Sequence, residues 1–598
     1  MATPVGDKRL YETLCKVLDS LRSEAPTSIS IYHPPAGNVD GLIQARSRAF
    51  LHLFLKARFG MIDFAEREEL VTDGKHDGGI DAYYIDKKNK RTYILQSKFR
   101  ATSANFTTTN TTPSDLLKMD VKRIMKGEKC DEDGTPYNGK IHGMQKAVQK
   151  VTDIGGYSTH VVLLGNTKNL SSSQLHKLID GYTPDQVSHD RAYQELVFPV
   201  INGTYFVEPS LTIEINLENL KGATHLDYEV KAASLKSNVK LLFVPTSEIG
   251  RIMHQYRNSV LKFNPRSFLE LQKNPVNQEI ETSVKKIKSN EFALFNNGIT
   301  IIADQTSVSS DTAKQGSAQV VLTNPQLVNG AQTAYTLARI YENCLKHNDF
   351  KVFKGKEVLL KVITFVGPQK PSNTDARLRL IADISKASNS QTKVEESDRR
   401  SNDPVQIKLQ QELFNEFGLY YERKLGEFSD GLRYGYVPVN LLVKREKLVR
   451  VALACDYRTN QTRSSTKKFF DQAALASLLK ISEAAKYAYG YQVLELLELR
   501  RKVKPKTKGD RYHTKEFGQA LRYGQYAVVT ACANLGPPAS KTEAQIVDSI
   551  LGQWQNFEAW AAKQPSNKPY TTGSAFDFDN YYKGSTINSD LKNYTFTS

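Results

Sequence analysis

Three features of the sequence predict a mixed α/β (α+β) protein. Apolar residues recur at helical spacing through residues 5–22 and 40–59, a β-rich hairpin occupies residues 80–99, and helix and strand signals then alternate as far as residue 216. A chain of 598 residues is long enough for roughly two to four domains. The expected division is 1–230, a mixed sheet flanked by helices; 231–460, a second α/β domain; 461–565, a helical region; and 566–598, a polar tail without amphipathic period, expected to dock loosely.

The loop "HPPAGN" separates the first two helices. Ile80–Asp86 and Thr92–Phe99 are apolar, β-rich runs around the polar stretch Lys87–Arg91, which is a hairpin pattern. A polar loop, "RATSANFTTTNTTPSD", leads to a helix expected from the cap Ser114 to Lys126. After the loop "KCDEDGTPYNGK" come a helix, "IHGMQKAVQKVTD", a strand, "STHVVLLGNT", and a capped helix, "SSSQLHKLIDGY". Strands are expected around 194–198, 203–207 and 211–216.

Farther along, Asn296-Asn297-Gly298 introduces the strand Ile299–Ile302, and Asn329-Gly330 ends another strand before a helix from Ala331 to Tyr341. A strand, an Asn-Gly and a helix start present free backbone N–H groups that can accept an anion. Asn296, Asn297, Asn329 and Gln332 are therefore candidate ligand or nucleic-acid contacts, although Asn and Gly are also the usual residues of tight reversals. Arg423 and Lys424 in "GLYYERKLGEF" are further candidates of this kind, where helix caps and solvated faces are the competing explanation.

Composition narrows the function classes. Lys and Arg exceed Asp and Glu by 81 − 64 = 17, a surplus that favours a polyanionic partner such as nucleic acid. The expected nucleic acid is DNA before RNA, a choice that the charge itself does not make. No apolar run approaches the roughly 18 residues of a membrane span, and the N-terminus lacks an apolar secretory core, so a cytoplasmic protein with no membrane partner is expected. Five scattered cysteines without C-x-x-C support neither a zinc ribbon nor a disulfide framework. The chain has no P-loop, G-x-S-x-G or H-E-x-x-H motif. A basic run from Lys502, "KVKPKTKGDRYHTK", reads as a surface loop that could also lie on nucleic acid.

The hairpin carries the most specific chemistry. If its turn centres on Lys88-Asn89, paired residue numbers sum to 177 and Asp81 faces Gln96. Side chains alternate, so Lys98 shares that face. A carboxylate and an amide oxygen, Asp81 and Gln96, could then hold Mg²⁺ or Mn²⁺, with Lys98 steadying developing charge in phosphodiester hydrolysis. Asp77-Gly78-Gly79 allows a tight bend before the strand, where a nucleic-acid backbone could approach closely.

This stretch resembles the PD-(D/E)XK, restriction-endonuclease-like nucleases, in the variant reading G-(I/V)-D…Q-x-K. The resemblance implies that Asp81 is the metal aspartate, Gln96 stands at the position often held by Glu, and Lys98 is the catalytic lysine. The family often adds a helix glutamate upstream, for which Glu69 in "AEREEL" is the nearest candidate, followed by Glu68. Residues 235–450 resemble a second family, the abortive infection phage resistance (AIPR) proteins, through "FNPR" at 263–266, "FNNGITI" at 295–301, "LVNGAQT" at 327–333, "NSQTKV" at 389–394 and "YYERK" at 420–424. Together they imply an antiphage effector with an Mg²⁺-dependent endonuclease regulated by its AIPR domain. The alternative is a sensor that binds nucleic acid and cuts weakly or not at all. The phage-derived trigger, the ligand of the AIPR domain and self-association are left open.

Overall fold

The computed structural model describes residues 5–151, 153–205, 211–217, 225–232, 235–264, 275–286, 289–309, 318–366, 396–536, 541–573 and 575–597, with isolated positions between 377 and 387. The fold is mixed α+β, as expected, and the chain forms two compact units. The first comprises Met1–Asn389 with Gly426–Val437, and the second Ser390–Leu425 with Pro438–Ser598. The expected boundary at 230 falls inside the strand Leu226–Ala232.

In the first unit, α1 (Val5–Arg22) and α2 (Val39–Phe59) precede a short helix α3 (Phe64–Glu68). Asn38 caps α2 by accepting the Gly41 N–H, and left-handed Gly60 ends it. A four-stranded mixed sheet follows in the order β1 (Ala82–Asp86), β2 (Arg91–Ser97), β3 (Ser158–Leu164) and β4 (Thr183–Val187). β1 and β2 pair antiparallel with Ala82 opposite Leu95 and Asp86 opposite Arg91, so the numbers sum to 177 throughout. β2–β3 and β3–β4 are parallel. One sheet face, bearing Tyr83, Ile94 and Val161, packs on Leu116, Met119, Ile124 and Ile141. On the other face Tyr84 stacks on Phe59 of α2, and Tyr93 packs against the same ring at a tilt.

Two elements differ from expectation. The helix expected at 114–126 is two helices, Pro113–Leu117 and Val121–Met125. The break is where the glycine turn docks: the Asp120 N–H donates to Gly78 O at 2.9 Å. The strand expected at 194–198 lies in a helical stretch, a π-helix over Ala192–Val197 followed by an α-helix over Phe198–Asn202. A short apolar run such as this one satisfies a buried helix as well as a buried strand. Residues 206–207 of the strand expected at 203–207 lie outside the described residues.

Two further sheets complete the first unit. β5 (Thr212–Leu217), β10 (Ala318–Thr323) and β9 (Gln305–Ser309) form one, in that order. The other runs β11 (Gln326–Asn329), β8 (Ile299–Ala303), β12 (Glu357–Val366), β7 (Leu235–Pro245) and β6 (Leu226–Ala232). The excursion at 426–437 is tied to this unit by Asp430, which accepts from buried Arg257 at 2.7 Å.

The second unit is mainly helical around one apolar core that includes the helices Arg445–Cys455, Ala484–Lys502, Gln525–Leu535 and Glu543–Ala562. Residues 566–598 do not dock loosely. Tyr581, Tyr582, Ile587 and Leu591 are buried in that core, and Phe596 stacks on Trp554 at 5.5 Å between centroids. Sequence patterning missed this because the segment buries aromatics with polar tips, each satisfied by a partner. Trp554 Nε1 donates to the Tyr582 hydroxyl at 2.8 Å, and that hydroxyl donates to Glu558 at 2.6 Å. Burial pushes the Glu558 carboxyl up to about 7.

Both tryptophans of the chain, Trp554 and Trp560, lie in this unit, so their fluorescence reports its unfolding. Tyr582→Phe leaves Glu558 and the indole N–H without their shared partner. We expect it to destabilise the unit by about 1–3 kcal/mol in urea titrations followed by tryptophan emission. No change would mean that the tail is not anchored there.

Candidate functional site

The segment "TDGKHDGGIDA" folds back on itself before β1. His76, Gly78 and Gly79 all take left-handed backbone, with φ of 58°, 60° and 70°. A Cβ on Gly79 would stand 2.8 Å from the Lys118 carbonyl oxygen, and one on Gly78 2.6 Å from Ile124 Cδ1. The glycines therefore admit the protein's own backbone and core; the sequence had suggested that they make room for nucleic acid.

The turn brings three carboxylates together. Asp73, Asp77 and Asp81 each offer an oxygen, and these oxygens lie within 4.8 Å of one another. Asp77 accepts the N–H groups of Gly74 and Gly79 at 3.0 and 2.9 Å. Asp73 is held by buried Arg48 at 2.9 Å. Asp81 accepts the Ser97 N–H at 2.6 Å. Burial, then repulsion by Asp73 and Asp77, pushes the Asp81 carboxyl up to about 7 against the Ser97 hydrogen bond and the charge of Lys98. Asp77 is also raised, chiefly by burial.

Asp81 lies one residue before β1, and its N–H donates to Leu95 O at 2.9 Å, off the regular ladder. The ladder begins with Ala82 opposite Leu95, so Asp81 and Gln96 lie just beyond its first pair, beside the face that carries Tyr83 and Ile94. Gln96 is 4% exposed. Its Nε2 donates to the Asp115 carbonyl at 3.1 Å and lies 3.5 Å from Gly79 O, while its buried Oε1 has no hydrogen-bond partner among the described residues. Lys98 pairs with Asp115 at 3.5 Å, which confirms that Gln96 and Lys98 share a face.

Glu69 is not part of the carboxylate group; it caps the C-terminus of α3. Glu68, the second choice, is engaged by Arg48 at 2.8 Å and His52 at 3.1 Å, and by the Tyr32 hydroxyl. Despite burial, hydrogen bonds from His52 and Tyr32 and the charge of Arg48 hold its carboxyl down at about 2. It acts on the cluster through Arg48, which reaches both Glu68 and Asp73. Asp73 and Asp77 were not assigned as ligands from sequence. The available signal was the spacing of four between successive aspartates, together with the glycine turn.

The Asn-Gly loops meet in space but are occupied by turn chemistry. Asn296 accepts the Gly298 N–H at 3.0 Å and donates to Thr333 Oγ1 at 3.0 Å; Asn329 accepts the Gly330 N–H at 2.9 Å. Gly330, at φ +87°, leaves a Cβ no room against Ile299 Cγ1 at 2.9 Å, and it caps the helix Ala331–His347. Asn297 is exposed, and the Gln332 Oε1 is buried without a hydrogen-bond partner among the described residues. Arg423 donates to Gln410, Asn402 and the Ser401 carbonyl within the second unit, and Lys424 beside it is 4% exposed. "NSQTKV" at 389–394 and the last two residues of "FNPR" lie outside the described residues.

The fold and this hairpin define a two-unit α+β protein with a carboxylate-lined candidate cation site. Residues 261–557 match the family model described as AIPR protein, and the chain belongs to that family. The match reaches well past residue 450, where the motifs had suggested it ends, and so takes in much of the second unit. Family membership supports a role in antiphage abortive infection. No curated protein and no solved structure matches the chain. Among the described residues, no helix is long and apolar enough to cross a membrane.

The raised Asp81 carboxyl has a consequence for stability. Its folded value, about 7, lies above its ordinary 3.8, so the stability it contributes is full below pH 4 and is lost as the pH rises to 7. In metal-free buffer we expect wild type to weaken relative to Asp81→Asn across that window. Parallel stability–pH curves for the two proteins would refute it. Glu558 titrates equally in both and cancels.

Proposed function

We propose that the chain is an abortive-infection effector of the cytoplasm that hydrolyses phosphodiester bonds of nucleic acid, DNA before RNA, with Mg²⁺ or Mn²⁺. The observation that carries this reading is the convergence of Asp73, Asp77 and Asp81 within 4.8 Å at the base of a hairpin whose adjoining face bears Gln96 and Lys98. The donors are hard oxygens, which suit Mg²⁺ or Mn²⁺, and the unpartnered Gln96 Oε1 adds a neutral one. A bound cation supplies charge neutralisation at the phosphate and makes water more acidic.

The chain's own residues do the rest. Arg48 and the backbone N–H groups of Gly74, Gly79 and Ser97 fix the carboxylates before any ligand arrives. Lys98, one-third exposed, is placed to steady charge that develops on the phosphate once it leaves Asp115. A second reading, a nucleic-acid-binding sensor without cleavage, is favoured by one observation: the Gln96 amide is tied to the Asp115 carbonyl, and a neutral amide attracts a cation less than a carboxylate does.

Purified chain with supercoiled plasmid and Mg²⁺ tests this. We expect nicking or linearisation that stops with chelator. Asp81→Ala and Lys98→Ala should each lower the rate by about 10²–10³-fold. In cells, overexpressed wild type should slow growth and Lys98→Ala should relieve it. Binding without cleavage under Mg²⁺ and Mn²⁺, on DNA and RNA alike, would leave the sensor reading.

A further inference from the structure

Three guanidinium groups gather around one phenol ring in the second unit. The Cζ atoms of Arg501, Arg511 and Arg522 lie 4.8, 5.6 and 5.8 Å from the centroid of Tyr512. A shared centroid bounds their separations, so no two Cζ atoms are farther apart than 5.6 + 5.8 = 11.4 Å. Arg522 also lies over Tyr523, at 4.7 Å.

Among the described residues no carboxylate pairs with these three arginines: Asp510 accepts from Thr514 and the Lys515 N–H, Glu516 pairs with Lys506, and Asp548 pairs with Arg500. All three are exposed. Arg501 sits in the last turn of the helix Ala484–Lys502, where a cation is favourable, but that accounts for one of the three. Between Arg500 and Arg522 the chain has nine Lys or Arg and two Asp or Glu, a net +7 of its overall +17.

Like charges gathered without a carboxylate repel, and an anion relieves them. Cation–π contact with Tyr512 uses guanidinium faces and leaves N–H edges for oxygen acceptors. Those edges match phosphate oxygens in a bidentate fork. Duplex DNA carries about one phosphate per 1.7 Å of axis, a density that offers neighbouring phosphates to three guanidinium groups held this close together. We propose that this surface binds the phosphate backbone of nucleic acid without reading its sequence. The proposal stands apart from the nuclease reading, because a sensor would need such a surface equally.

The test uses the full chain in chelator-containing buffer and a fluorescein-labelled DNA duplex, with anisotropy measured over a range of salt. The comparison is wild type against Arg501→Gln/Arg511→Gln/Arg522→Gln, with tryptophan emission confirming the fold. Each phosphate contact contributes about 0.9 to the slope of log affinity against log salt. We expect the variant to lose at least about tenfold in affinity at low salt and to shallow the slope by about 2–3. A folded variant with unchanged affinity and slope overturns the proposal. Should the triple variant not fold, Arg511→Gln alone is expected to shallow the slope by about 0.9, and an unchanged slope overturns the proposal equally. Poly-glutamate at matched charge should displace the duplex poorly. Equal displacement would identify an acidic-peptide surface and refute the assignment to nucleic acid. Since no cleavage is read, failure of nuclease activity leaves every arm intact.

Discussion

Three carboxylates within 4.8 Å of one another cannot all be ionised at ordinary cost, and the first unit is arranged around that constraint. At an effective dielectric near 20, each pair of charges at this range repels by on the order of 3–4 kcal/mol. The cluster persists because each member is held separately: Asp73 by Arg48, Asp77 by two backbone N–H groups, Asp81 by the Ser97 N–H. Arg48 is held in turn by Glu68, which also anchors Tyr32 and His52. Burial first, and then the repulsion that remains, raises the carboxyl of Asp81. A proton relieves it in one condition and a cation would relieve it in another.

The Asn-Gly motifs that carry the family resemblance meet a different demand. Gly298 and Gly330 both take positive φ, and each lets its backbone approach where a Cβ would clash: Gly298 against Leu359 O, Gly330 against Gly298 O and Ile299. Asn296 and Asn329 are spent on the turns they belong to. Arg423 is likewise committed to carbonyl and amide oxygens around it. Asn296, Gly298 and Gly330 tie β8, β11 and the helix after β11 into one body.

What the sequence revealed and what it concealed divide along a physical line. The hairpin register was legible because strand pairing has a fixed period, and the pairs from Ala82–Leu95 to Asp86–Arg91 follow it, while Asp81 lies just before the ladder and bonds out of step with it. The start of the helix Ala331–His347 was legible from Asn-Gly, whereas its end, expected at Tyr341, lies farther on at His347. The ligand set was not, since Asp73 and Asp77 reach Asp81 only through a turn with three left-handed residues, whose closure depends on Lys118, Ile124 and Tyr137 filling the space beside the glycines. Glu69 lies outside the carboxylate group, at the C-terminal cap of α3. The break at 118–120 and the buried tail were hidden too, because each depends on a distant partner: Gly78 O for the break, and Trp554 with Glu558 for the tail.

Charge also separates binding from chemistry on the proposed reading. A nucleic-acid backbone approaching the hairpin meets three aspartates, which repel it, and Lys98 alone among the residues assigned to the site carries the opposite sign. A divalent cation inverts that local balance, so approach to the hairpin depends on metal. The arginines around Tyr512 need no metal to attract phosphate, and their attraction weakens with salt. An effector that can kill its host benefits from this division. On that reading nucleic acid would be held at a surface whose occupancy commits nothing, while bond cleavage would wait on a site whose own charges repel the substrate until a cation binds.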